Sequence, residues 1–64
     1  MKADRIQAGM KIQCPDGTVI EIIRGWFQHE GFDSVEYRFA DGSTEIAAVA
    51  FIQEVFKAGA KEII

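Results

Sequence analysis

The 64-residue chain contains one cysteine, one histidine and one proline, and it has no extended apolar run. Cys14 has no partner for a disulfide within the chain, and Cys14 with His29 supplies too few of the ligands that a zinc site uses. A domain this short buries only about 60% of the surface that its unfolded chain exposes. Because neither a disulfide nor a metal is expected to reinforce it, self-association is the reinforcement that remains.

Long hydrophobic segments and excess positive charge are also missing. No segment approaches the length of a membrane-spanning helix, and residues 1–9 lack the apolar core of a signal peptide, so a cytoplasmic protein without a membrane partner is expected. Asp and Glu number 10 against 7 Lys and Arg, which gives a net charge of −3. Nucleic-acid affinity comes from basic side chains that neutralise phosphates, so a nucleic-acid partner is not expected either.

The composition is that of a folded chain, with 48% hydrophobic and 27% charged residues, and we expect residues 1–64 to form a single domain. Residues 11–22 and 37–46 resemble each other, because each places Asp-Gly between runs rich in β-branched or aromatic residues. Gly accepts the positive φ that tight turns between twisted strands require. The sequence therefore predicts two β hairpins.

Alternation of apolar and polar residues predicts strands over residues 11–14, 19–26 and 35–39. Gly25 lies where a bulge or a sharp bend would be tolerated in the second of these strands. Residues 29–33 are predicted to form a loop. These elements indicate an antiparallel meander.

Two interpretations remain open after Gly42. In one, Thr44–Ala48 is a strand, followed by a turn and a last strand. In the other, the segment after Gly42 is helical. For Val49–Lys57 a helix is favoured, because Lys57 lies in its last turn and Gly59 follows where a helix often ends, and Thr44–Ala48 is left as a strand. The apolar arc of the helical interpretation consists of Ile46, Val49, Phe51, Ile52, Val55 and Phe56, with Ala47, Ala50, Gln53, Glu54 and Lys57 facing water. Residues 60–64 could add an edge strand, although chain ends commonly fray.

The expected fold is mainly β, a small antiparallel barrel or twisted meander with a short C-terminal helix. The alternative is an α+β domain with a three-stranded meander and a C-terminal helix. The layout resembles an SH3-like small barrel in three features: Gly9 before the first strand, Gly25-Trp26-Phe27 at the bend of the second, and Gly42-Ser43 before a strand and turn.

Within that group the chain is similar to the plasmid-borne type II dihydrofolate reductases, whose small barrels assemble around a shared pore. Residues 42–55 can be placed without gaps on that family's Gly-Ser-Val-Gln-Ile-Tyr-Pro-Val-Ala-Ala-Leu-Glu-Arg-Ile. Ile46 keeps the family's isoleucine, but Glu45 replaces the pore glutamine, Ala47 replaces the ligand-binding tyrosine, and Cys14 falls near the place of a pore lysine. Since an acidic pore suits anionic folate poorly, the resemblance implies a fold and not an activity.

Four residues are candidates for a binding surface: Trp26, Phe27, His29 and Phe32. Aromatic side chains supply much of the contact area in protein interfaces, although Trp26 and Phe27 are equally compatible with a barrel core. Tyr37 and Phe39 share the parity of Val35 and are expected in the core. Asp16, Asp33 and Asp41 fit turn chemistry. No catalytic residue, metal site or cofactor is predicted.

Three functional hypotheses follow. The first is a non-enzymatic protein-interaction or assembly module, either a homo-oligomer or a domain that binds a separate protein. The second is an oligomeric, reductase-like barrel with a shared central site. The third is an RNA- or ribosome-associated barrel, which requires its basic residues to gather on one face. Those residues are Lys2, Arg5, Lys11, Arg24 and Arg38. The first hypothesis is favoured because it requires no residue type that the chain lacks.

Overall fold

The computed structural model describes residues 6–63, which form one five-stranded antiparallel sheet and one helix. In chain order the elements are β1 Lys11–Gln13, β2 Val19–His29, β3 Phe32–Phe39, β4 Thr44–Ala48, α1 Val49–Lys57 and β5 Lys61–Ile63. The strand order across the sheet is β4-β3-β2-β1-β5. The predicted mainly-β fold with a short helix near the C-terminus is confirmed, as are the fourth strand and the added edge strand β5.

Both predicted Asp-Gly hairpins form, and their turns have the same geometry. In the first, the Cys14 N–H donates to the Thr18 carbonyl at 2.7 Å and the Gly17 N–H donates to the Cys14 carbonyl at 2.9 Å. In the second, the Phe39 and Gly42 N–H groups make the matching bonds at 2.8 and 3.0 Å. The internal sequence similarity therefore corresponds to a repeated local structure.

β2 is longer than predicted, and its pairing with β3 is irregular near Gly25, where the sequence indicates that a bulge or bend is tolerated. Its register against β3 shifts between Ile22 and Arg24 and again between Arg24 and Phe27. The N-terminal segment crosses β2 at this point, where a Cβ on Gly25 would lie 3.4 Å from the Cα of Gln7. Glycine at the bend thus permits a close approach of two backbones.

Residues 29–33 do not form the predicted loop. His29 ends β2, Phe32 begins β3, and the two strands pair as far as these two residues. The connection consists of Glu30 and Gly31 alone, with φ of 52° and 85°. Positive φ at both central residues is the geometry of a tight type I′ hairpin, and it allows the strands to continue to the turn.

The helix α1 follows β4 directly and ends at Lys57, as predicted. Its last turn is closed by Gly59, with a φ of 120°, and by the Ala60 N–H donating to the Val55 carbonyl at 3.1 Å. The predicted apolar arc is partly wrong, because Phe51 is exposed while its neighbour Ile52 is buried. The helix contacts the sheet through a narrower stripe than the sequence pattern indicates.

The core is aliphatic and lies between the inner face of the sheet, the helix and the N-terminal segment. Its buried members are Ile6, Ile12, Ile20, Ile22, Val35, Tyr37, Val49, Ile52 and Ala60. Tyr37 is the buried aromatic residue among them, and Phe39 packs partly buried against the same cluster, so the prediction for this pair is confirmed. Two further residues of the helical interpretation are placed differently by the structure. Ile46, predicted in the apolar arc, is exposed on β4, and Ala47, predicted to face water, packs against the core.

Candidate functional site

The end of the β2–β3 hairpin extends beyond the other described strands. β1 pairs with β2 over its residues 19–21, and β4 pairs with β3 over residues 34–38. Beyond these pairings, β2 and β3 pair only with each other within the described part of the chain: Phe27 with Ser34, Gln28 with Asp33 and His29 with Phe32. We call residues 26–33 the hairpin arm. A two-stranded ribbon is only marginally stable alone in water, so its side chains gain from further packing.

All four predicted binding residues lie on the hairpin arm. Phe27 and His29 have ring centroids 6.1 Å apart in an edge-to-face arrangement, and His29 pairs across the turn with Phe32. The guanidinium of Arg24 lies 3.9 Å from the centre of the Phe27 ring. The side chain of Phe32 is 67% exposed. One face of the arm thus presents a row of ring systems to solvent.

The other face of the hairpin arm carries Trp26. Side chains alternate along a strand, so Trp26 points away from the face that holds Phe27 and His29. Its side chain is 46% exposed. On this side a hydrogen bond from the Gln28 amide to the Asp33 carboxylate links the two strands. The four candidates are therefore close along the hairpin but divided between its faces.

A second feature is an apolar groove at the opposite end of the sheet, which the sequence did not predict. It has a volume of about 430 Å³ and lies between the β1–β2 turn and the exposed side of α1. The residues lining it are Cys14, Pro15, Asp16, Thr18, Ile20, Tyr37, Phe39, Phe51, Ile52 and Val55. Residues distant in sequence meet there, and no local pattern marks them as neighbours.

The groove is electrostatically unfavourable for anions. Burial raises the pKa of the Cys14 thiol, and the nearby Asp16 carboxylate raises it further. Burial also raises the pKa of the Tyr37 hydroxyl, with an added contribution from Glu45, whose Oε2 accepts its hydrogen bond at 3.2 Å. A protonated thiol at neutral pH is a weak nucleophile, so Cys14 acts here as an apolar lining group.

Of the basic residues in the RNA hypothesis, Lys2 and Arg5 lie outside the described residues. Lys11, Arg24 and Arg38 share the outer face of the sheet, as cross-strand pairing shows. Acidic side chains alternate with them. Arg38 donates to Glu21 at 2.7 Å, and Arg24 pairs across the strands with Glu36. This interleaving neutralises part of the charge that phosphate binding would need.

Within residues 6–63, no group of three or more His, Cys, Asp or Glu side chains is arranged to hold a metal ion. None of the described helices is both long enough and apolar enough to cross a membrane. Comparison with protein-family models, with curated proteins and with solved structures gave no match to this chain.

Proposed function

We propose that the protein is a small non-enzymatic assembly module that associates through its hairpin arm, with a second copy of the chain as the partner. The placement of the aromatic residues supports this proposal most strongly. The chain has one tryptophan, one tyrosine and five phenylalanines, yet Trp26 and Phe32 project into solvent while isoleucines fill the core.

Exposed rings are energetically costly in a domain of this size. An aromatic side chain can bury about 150–250 Å² and contributes strongly to interfaces when it is desolvated. Phe32 is 67% exposed, and it lies on a ribbon that has no third strand beside it among residues 6–63. Contact between two molecules would cover both the rings and the open strand edges.

A second copy suits the arm because the arm and its base combine groups that can pair with their counterparts in another molecule. The arm carries His29 and the acidic Glu30 and Asp33, and Arg24 lies at its base. In a twofold interface each patch meets its own copy, so a surface that combines rings, both charge signs and free strand edges can pair with itself. Self-association would also reinforce a fold that has no disulfide.

Trp26 is the chain's single tryptophan, so its fluorescence reports directly on the arm. We expect the emission to shift to shorter wavelength and acrylamide quenching to fall as protein concentration rises. The Phe32→Ala variant should lose this dependence, whereas Ile46→Ala, which removes an exposed side chain on β4, should retain it. Emission that does not change with concentration in the wild-type protein would refute the proposal.

A further inference from the structure

We propose that the groove between the β1–β2 turn and α1 binds a small organic cation with an aromatic body, with the ring in the groove and the ammonium group beside Asp16. This site is separate from the hairpin arm and does not depend on its function. The β1–β2 turn and the β2–β3 turn lie at opposite ends of β2.

The volume of the groove suits a small molecule. Its volume of about 430 Å³ falls in the range of small-molecule sites, about 300–1,000 Å³. A stable protein interface instead covers roughly 800 Å² on each partner. Tyr37 and Phe39, whose centroids are 5.4 Å apart at an angle of 76°, form part of the floor.

Phe51 forms part of the apolar wall on the helix side of the groove. Its side chain is 56% exposed, although the adjacent Ile52 is buried in the core. A ring inserted between Phe51 and Pro15 would remove apolar surface of both from water. In the proposed complex the exposed ring of Phe51 contacts the ligand.

The charge of the groove favours a ligand that carries a positive charge. Among the described residues that line it, Asp16 is the charged one, and no basic side chain is present. Asp16 holds a fixed position because its Oδ1 accepts the Thr18 N–H at 2.9 Å. A carboxylate fixed at the rim of an apolar groove is complementary to an ammonium group attached to a ring.

Three indole compounds test this directly: tryptamine, which is cationic, tryptophol, which is neutral, and indole-3-propionate, which is anionic. Each is titrated into ¹⁵N-labelled protein while amide chemical shifts are recorded. We expect shifts at Gly17, Thr18 and Phe51, and about threefold tighter binding of tryptamine than of tryptophol, as a solvent-exposed ion pair provides. Indole-3-propionate should bind more weakly than tryptophol.

The second hairpin turn supplies the matched control. Asp16→Asn and Asp41→Asn each remove one charge while retaining a side-chain oxygen for the turn hydrogen bond, but Asp41 does not line the groove. The preference for tryptamine should disappear in Asp16→Asn and persist in Asp41→Asn, and a dispersed amide spectrum shows that each variant is folded. Equal affinity for all three compounds, shifts outside the groove, or no binding up to the solubility limit would overturn the proposal.

Discussion

Asp16 and Asp41 occupy equivalent positions in two hairpin turns. The Oδ1 of each accepts a hydrogen bond from the backbone N–H two residues later, at 2.9 Å from Thr18 N and at 2.9 Å from Ser43 N. The intervening glycines, Gly17 and Gly42, have φ of 93° and 92°. The β1–β2 and β3–β4 turns therefore share the same local geometry.

The equivalence predicts equal costs for substitution of the two glycines. Alanine at Gly17 or at Gly42 must adopt a left-handed backbone conformation, which costs about 1–2 kcal/mol. Urea unfolding should show similar losses for both variants. Gly17→Asn is the control, because asparagine adopts the left-handed conformation more readily than alanine does. If the alanine variants lose no more free energy of unfolding than the control, the left-handed backbone at these turns is not the source of the loss.

Stability should decrease in acid because of the same turns. Hydrogen bonds from Thr18 lower the pKa of Asp16, and hydrogen bonds from Ser43 lower that of Asp41. A carboxyl whose pKa is lower in the folded protein stabilises the fold above its unfolded pKa, and this contribution is lost as the pH falls below about 4. Thermal melts between pH 6 and pH 2.5 measure it.

The double variant Asp16→Asn/Asp41→Asn should flatten this acid dependence. Part of the slope should remain, because the Arg38 hydrogen bond also lowers the pKa of Glu21. An unchanged slope in the double variant would contradict the assignment to the turns.

The hydroxyl of Tyr37 links β3 to β4. It donates to the Glu45 Oε2 at 3.2 Å, and Tyr37 as a whole is 7% exposed. Tyr37→Phe keeps the ring and removes the hydrogen bond, so we expect a loss of about 1 kcal/mol in the free energy of unfolding. A double-mutant cycle with Glu45→Ala isolates the pairwise contribution. Additive losses in the cycle would show that the hydrogen bond contributes nothing.

Adjacent residues of α1 should respond very differently to truncation. Ile52 is 2% exposed and Phe51 is 56% exposed. Ile52→Ala leaves a cavity in the core and should cost about 2–5 kcal/mol, whereas Phe51→Ala should change stability by less than about 1 kcal/mol. Chemical denaturation distinguishes them, and comparable losses would place Phe51 in the core, as the sequence pattern had indicated.

The elements that could be predicted from sequence are those fixed by local chemistry. Asp-Gly specifies the turns at Asp16 and Asp41, and Gly59 after Lys57 specifies the end of the helix. Strand positions over residues 35–39 follow from alternation, which a half-buried strand imposes. In each case the determining residues lie within a few positions of one another.

The hairpin arm and the groove depend on contacts between distant residues. β2 pairs with β3 through two register shifts as far as His29 and Phe32, and the two-residue turn Glu30–Gly31 takes the place of the expected loop. Phe51 fits the apolar period of α1, but its exposure is determined by where the helix lies over the sheet. The sequence identifies the aromatic residues as binding candidates, but their division between the two faces of the arm follows only from the strand register.

Association through the hairpin arm should change the solution mass, which light scattering measures across a dilution series. We expect a mass that rises above the 7.1 kDa of one chain with increasing concentration. We also expect Phe32→Ala to weaken association by about tenfold or more, as at an interface hot spot, while Ile46→Ala has little effect. A wild-type mass of one chain at every concentration, or equal effects of the two variants, would contradict association through the hairpin arm.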